Sequence, residues 1–215
     1  MTRRVSFWPD LYYICINKSL PNSTSIQSQT QVTMKARILF LISLFFQGAL
    51  FAQWNTNTSV NMLISGLPVA DMQSVATCDG KMWVAYYHEN AGNYDMRAQL
   101  IDADGYLQLG PNGVLVSNQT SGSATYVFNV CLDNDDNLVI GFQYEAGSDM
   151  NAVLHKISPT GVQLWGASGV VIGQGLAPYP ATLTTGETVV VWNESQSNTL
   201  NMQKITPTGS LAWSS

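Results

Sequence analysis

From Met72 onward the chain alternates short apolar runs with turn-forming residues, and the runs carry the period of strands. Tyr126-Val-Phe-Asn-Val-Cys-Leu132 sets its large apolar residues on one face, the two-residue period of a half-buried strand. Three stronger runs, Lys81–Tyr87, Asn137–Tyr144 and Glu187–Asn193, follow segments at Met72–Thr77, Tyr126–Leu132 and Pro180–Leu183. Continuity of Val189, Val190 and Val191 predicts a strand covered on both faces. The separating texts CDGK, DNDDN and TTGE hold Asp, Asn and Gly, which tolerate the positive φ of tight hairpins. A third strand is predicted at Met96–Ile101, Met150–Ile157 and Leu200–Ile205, and a short outer one at Val114–Val116 and Val170–Ile172. No useful helical period occurs after residue 53.

These elements repeat in register. Ile101, Ile157 and Ile205 align, as do Gly105, Gly161 and Gly209, then Leu109, Trp165 and Trp213, at offsets of 56 and 48 residues. Four antiparallel strands about every 50 residues predict an all-β, propeller-like array of four-stranded blades, about three of them present. The blades fall at 71–122, 123–175 and 176–215, the last incomplete. Trp165 and Trp213, four residues past their glycines, are expected to fill contacts with a neighbouring blade. Residues 53–70 form a lead-in in which Thr58–Leu67 resembles the outer-strand text Gly169–Leu176, as a strand that closes a ring does. Propellers close with at least four blades, so truncation is the expectation for a text that stops at Trp213-Ser-Ser.

The first quarter reads differently. Residues 34–52 run from Lys35 and Arg37 through the apolar Ile38–Phe46 to Ala49-Leu-Phe-Ala52, the three-part layout of a secretory signal peptide. Residues 1–33 are polar and irregular, and Met34 is the simpler start, so this leader is set aside from the fold. The expected mature chain from Gln53 has 13 acidic and four basic residues, a net of −9. Without clustered Lys or Arg it repels nucleic acid and anionic lipid, and nucleic-acid binding is excluded. No membrane span is expected after signal cleavage. Cys78, beside a turn, and Cys131, inside a strand, occupy different places in their repeats and are read as unbridged.

Candidate chemistry is sparse. Asp102-Ala-Asp104-Gly105 resembles the Asp-box hairpin of sialidase-like propellers, but the other copies carry Pro-Thr, so a turn role covers all three. Asp133-Asn-Asp-Asp-Asn137 offers oxygen ligands for calcium, yet it lacks the glycine and glutamate of a calcium loop and reads as a hairpin tip. Glu89, Glu145 and Glu194 recur after the second strand, which marks scaffold, whereas an active site must break the repeat. The residues that break it are His88, Arg97 and His155. His88 with Glu89 forms a loop pair, and with Arg97 these are the candidate ligand-binding residues. His155 reads as a partly exposed strand residue, and Tyr86, Tyr87 and Tyr94 as core more than as sugar-stacking surfaces. No phosphate loop, Cys/His metal cluster or nucleophile elbow appears, so no catalytic residue, metal or cofactor is assigned.

The texts at 156–170 and 203–213, with the Phe-Ala-Gln end of the leader, resemble large secreted propeller-repeat proteins of Bacteroidota. That resemblance implies export to the cell surface or medium and, for the family, type IX secretion machinery as a partner. The leading expectation is a non-catalytic protein that binds extracellular glycan or protein through its loops. The alternative is a fragment of a glycosidase- or sialidase-like propeller whose catalytic residues lie in other blades. A quinone-cofactor propeller is a distant third, since it needs a basic central site.

Overall fold

A computed structural model of the chain describes residues 61–123, 127–194, 197 and 199–213. The leader at 1–33, the signal segment at 34–52 and Tyr126 lie outside the described residues. Regular structure among the described residues is β throughout, in three antiparallel sheets that follow one another along the chain. The first contains β1 (Val69–Ala76), β2 (Met82–Asn90), β3 (Asn93–Ile101) and β4 (Val114–Ser117), in that spatial order. The second repeats it with β5 (Asn129–Leu132), β6 (Leu138–Ala146), β7 (Asp149–Ile157) and β8 (Val170–Gln174). The third holds β9 (Leu176–Thr182), β10 (Thr188–Asn193) and β11 (Leu200–Ile205), with no outer strand among the described residues. This is the propeller-like array of blades that the repeat predicts.

In the first two blades the second and third strands run longer than the apolar text. β2 and β3 pair from Met82↔Ile101 to Asn90↔Asn93, because Ala91 and Gly92 both take positive φ, at 52° and 87°, and close the hairpin in two residues. Glu89 and Glu145 consequently lie within strands. Each blade then closes on the turn that follows its isoleucine. Ile101, Ile157 and Ile205 are fully buried and bridge to Leu107, Gln163 and Leu211. Asp102 Oδ1 accepts the Tyr106 N–H at 2.8 Å, Ser158 Oγ that of Val162 at 3.0 Å, and Thr206 Oγ1 that of Ser210 at 3.0 Å. Asp, Ser and Thr interchange there because each supplies one acceptor oxygen at the same reach, so the Asp-box text serves the turn.

Strand alternation gives every blade two faces, and each joins a different neighbour. Trp83, Ala85, Tyr87, Met96, Ala98 and Leu100 of the first blade share a core with Leu138, Ile140, Phe142, Val153 and Ile157 of the second. The second blade's other face sends Val139, Leu154, Trp165 and Val170 against Val190, Trp192 and Ile205 of the third. Trp165 fills that contact as expected, and its Nε1 donates to the Pro207 carbonyl at 3.0 Å. Trp83 ties the first two blades likewise, donating to Asp136 O at 3.0 Å.

Three expectations change. Val190 is fully buried while Val189 and Val191 are half-buried, because among the described residues the sheet packs another blade on the face toward the second blade alone. The described part of the proposed lead-in strand, residues 61–67, contains no strand. Instead Ile64 packs on Val84, Tyr86 and Ile101, and the Gly66 N–H donates to Asn112 Oδ1 at 2.9 Å, so the segment covers the first blade's outer face. His155 is 1 % exposed, since it shares a face of β7 with Val153 and Ile157 and stacks on Phe142 at 5.3 Å.

The Gly209 turn needs its glycine twice over: φ is +88°, and a Cβ there would stand 2.7 Å from Trp165 Cδ1. Gly209→Ala is expected to lose about 2 kcal/mol of unfolding free energy. A lowered urea midpoint at unchanged slope is the readout, and an unchanged midpoint would show that the indole does not seat on this turn.

Candidate functional site

The end of the blades that carries the β2–β3 and β6–β7 hairpins gathers the residues singled out from the sequence. Connecting segments are laced to it by backbone bonds. Glu89 N donates to Pro68 O at 3.2 Å, Tyr94 N to Ser121 O at 2.9 Å, and Glu145 N to Thr120 O at 2.7 Å. His88 and Glu89 meet on one carbonyl: His88 Nδ1 lies 3.1 Å from Pro68 O, a hydrogen bond when Nδ1 carries the proton. The Glu89 residue is exposed, and the half-buried His88 stands in register opposite Asp95. The Asp95 carboxylate is buried and accepts from Asn90 Nδ2 at 2.9 Å and Asn93 Nδ2 at 2.7 Å. His88, Asp95 and the Asn-rich hairpin thus form one polar face, with Glu89 on the opposite face of β2.

Arg97 shares the face of His88 but is engaged elsewhere. Its Nε donates to Asn112 O at 3.0 Å and its Nη2 to Gly113 O at 3.2 Å. Tyr86 Oη donates to the same Asn112 carbonyl at 2.6 Å. Together they brace the entry to β4, where Gly113 passes so close to β3 that a Cβ would fall 2.2 Å from Ala98 O. The structure thus shares the Pro68 carbonyl between the His88 ring and the Glu89 backbone N–H, sets the two side chains on opposite faces of β2, and uses Arg97 as a brace.

The two other acidic positions are engaged, Glu145 by the segment between β4 and β5 and Glu194 by its own loop. Glu145 Oε1 accepts the Gly122 N–H at 2.8 Å. Glu194 Oε2 accepts Ser197 Oγ at 2.7 Å, Asn201 Nδ2 at 3.3 Å and Thr199 Oγ1 at 3.2 Å, which hold its carboxyl below the usual range. At the opposite end, the DNDDN tip is internally satisfied. Asp133 Oδ1 accepts the Asp135 and Asn137 N–H groups, each at 2.9 Å. Its Oδ2 takes Asn137 Nδ2 at 2.8 Å and the Lys156 ammonium at 2.6 Å. The turn supplies its own donors to the carboxylate that calcium would need, and among the described residues no group of three or more His, Cys, Asp or Glu could hold a metal ion.

Tyr86 and Tyr87 are core, with Tyr87 edge-on to Phe128 at 5.2 Å and to Tyr94 at 6.4 Å. Cys78 and Cys131 are not bridged, and burial pushes the Cys131 thiol up to about 12. Sequence reasoning passed over Met72 and Tyr179, which stand exposed on the inner strands β1 and β9. The available signal was their outward place in the strand alternation. It passed over the Asp133–Lys156 pair as well, whose partners lie on different elements.

No helix among the described residues is long and apolar enough to cross a membrane. No family model matches the chain, and no curated protein matches it. Among solved structures the chain is similar to the endo-arabinase from Bacteroides thetaiotaomicron VPI-5482, at 14 % identity and a TM-score of 0.32, over 65 % of this chain and 61 % of that one.

Proposed function

We propose that this is a secreted or cell-surface repeat protein of the propeller type that binds an extracellular glycan or protein through its hairpin-end loops, without catalysis. One observation carries the reading: at that end the recurrent Glu145 and Glu194 are engaged, by the Gly122 N–H and by the side chains of Ser197, Thr199 and Asn201, while Glu89 is exposed next in the chain to the repeat-breaking His88. Pairs of carboxylates that work on glycosides face a substrate from both sides, and a carboxylate held by loop donors is poorly placed for that. Beside His88 the hairpin is held rigid, with the Asn90 and Asn93 amides both donating to the buried Asp95 carboxylate. Export rests on the leader at 34–52, with secretion machinery as the transient partner.

The test is a glycan array with the mature chain beside a His88→Ala, Glu89→Ala double variant. Binding to a defined glycan class is expected, with at least a tenfold loss in the double variant at an unchanged melting temperature. Release of sugar from any bound polysaccharide by the unmodified chain would sink the non-catalytic reading.

A further inference from the structure

We propose that the outer face of the third sheet is a docking surface for a further four-stranded blade of this same repeat, with Trp213 as its anchor. The inference is independent of the ligand reading above.

The two blade contacts in the structure are built from the same alignment columns. Ala98 of the first blade and Leu154 of the second are fully buried by the blade that follows, and the third-blade equivalent, Met202, is 55 % exposed. Met96 and Ala152 are likewise buried, against 77 % exposure for Leu200. Val189 and Val191 extend the same face along β10. A surface meant for water carries polar residues at these positions; this one keeps the apolar set that its predecessors use to bind a neighbour.

The anchor is already in place. Leu109 is held behind its turn by Gln99, whose Oε1 accepts the Leu109 N–H at 3.0 Å. Trp213 is held in the same way: its N–H donates to Gln203 Oε1 and its carbonyl accepts from Gln203 Nε2, both at 3.1 Å. The equivalent Trp165 shows what such an indole seeks. It donates to the carbonyl two residues before a glycine, Pro207 O at 3.0 Å, and lies where that glycine, Gly209, has no Cβ. The partner therefore presents a glycine turn at positive φ, an acceptor carbonyl two residues earlier, a buried isoleucine before the turn and β-branched or aromatic residues on its second strand.

The first blade of a second copy carries the same turn, with Gly105 at positive φ, buried Ile101, and Val84 and Tyr86 on its second strand, but its receiving face is already covered by Ile64 and by Met62, whose Sδ lies 3.9 Å from the Cβ position of Gly105. The occupant is a blade whose receiving face is open.

The experiment extends the whole chain by replacing Ser214–Ser215 with a copy of residues 166–213, the text that follows Trp165. This adds the outer strand of the third sheet and then a receiving blade. The copy carries Met202→Leu, so that the original Met202 is read alone by peroxide oxidation and mass spectrometry. In the unextended chain Met202 oxidises far faster than the buried Met96. In the extended chain its oxidation is expected to slow at least tenfold, and Trp213→Ala at the original position restores the fast rate. Met96, protected throughout, reports that the first two blades are intact. An unslowed Met202, or an added segment that stays protease-sensitive while Met96 remains protected, overturns the proposal. So does a Met202 already protected in the unextended chain together with a dimer in sedimentation, which assigns the face to a second copy.

Discussion

Asp133→Ala is expected to destabilise the protein by about 3–5 kcal/mol, the range for breaking a buried ion pair from one side. The Asp133 and Lys156 side chains are only 3 % and 7 % exposed, and their charged atoms are 2.6 Å apart. Removing the carboxylate strands an ammonium between the second and third blades, 5.6 Å from the centre of the Trp165 ring. It also takes the acceptor from two turn N–H groups and from the Asn137 amide. Lys156→Met is expected to cost less, since the carboxylate keeps its three neutral donors and the thioether chain still packs on Trp165. Burial alone pushes the Asp133 carboxyl up, but the bonds from Asn137, Lys156 and the turn N–H groups outweigh it and hold it below the usual range. A folded value below the unfolded one gives stability that is present above the unfolded pKa of about 3.9 and lost as pH falls through the folded value. Urea unfolding at pH 7 and pH 3 measures both effects. Equal stability of Asp133→Ala and the unmodified chain at pH 7 would contradict the pairing.

The difference between what the text revealed and what it hid follows from the range of the forces involved. Ile157, Gly161 and Trp165 were legible because the turn that joins them is local, within nine residues, and the same stereochemistry recurs with Gly105 and Gly209. Trp165 could be assigned to a blade contact because a large aromatic after a turn has one apolar place to go. Pair partners from different elements were not legible. Asp133 reads as one more acid in a polar tip until β7 lays Lys156 beside it. Arg97 reads as a lone cation until the Gly113 crossing brings two carbonyls within its reach. The half-covered Val189 and Val191 had the opposite fault: local apolarity predicts burial, but burial needs a neighbour, and composition does not reveal which face has one.

His155 is where the repeat departs most from its own rule, and it sets the second large expectation. In the other blades this position holds glutamine. Gln99 accepts from Leu100 N and Leu109 N at 3.0 Å each and donates to Gly110 O at 2.6 Å; Gln203 binds Lys204 N and both ends of Trp213. An imidazole is too short and too rigid to reproduce that clamp, and neither ring nitrogen of His155 has a hydrogen-bond partner. Burial lowers its pKa from 6.5 to about 4. The unfolded chain therefore binds a proton across that window while the folded chain does not, so stability falls as pH drops from about 6.5 to about 4. At about 1.4 kcal/mol per pH unit the loss reaches about 3 kcal/mol. This limb lies above the acid limb of Asp133, so the two separate on a pH profile. His155→Gln is expected to flatten the upper limb, leave the lower one, and add about 1 kcal/mol at pH 7 by restoring the clamp to the Lys156 and Trp165 N–H groups. Denaturant midpoints of both chains from pH 7 to pH 3 decide the matter. If the loss between pH 6.5 and 4 persists in His155→Gln, another group carries the titration and the buried neutral imidazole is not its source.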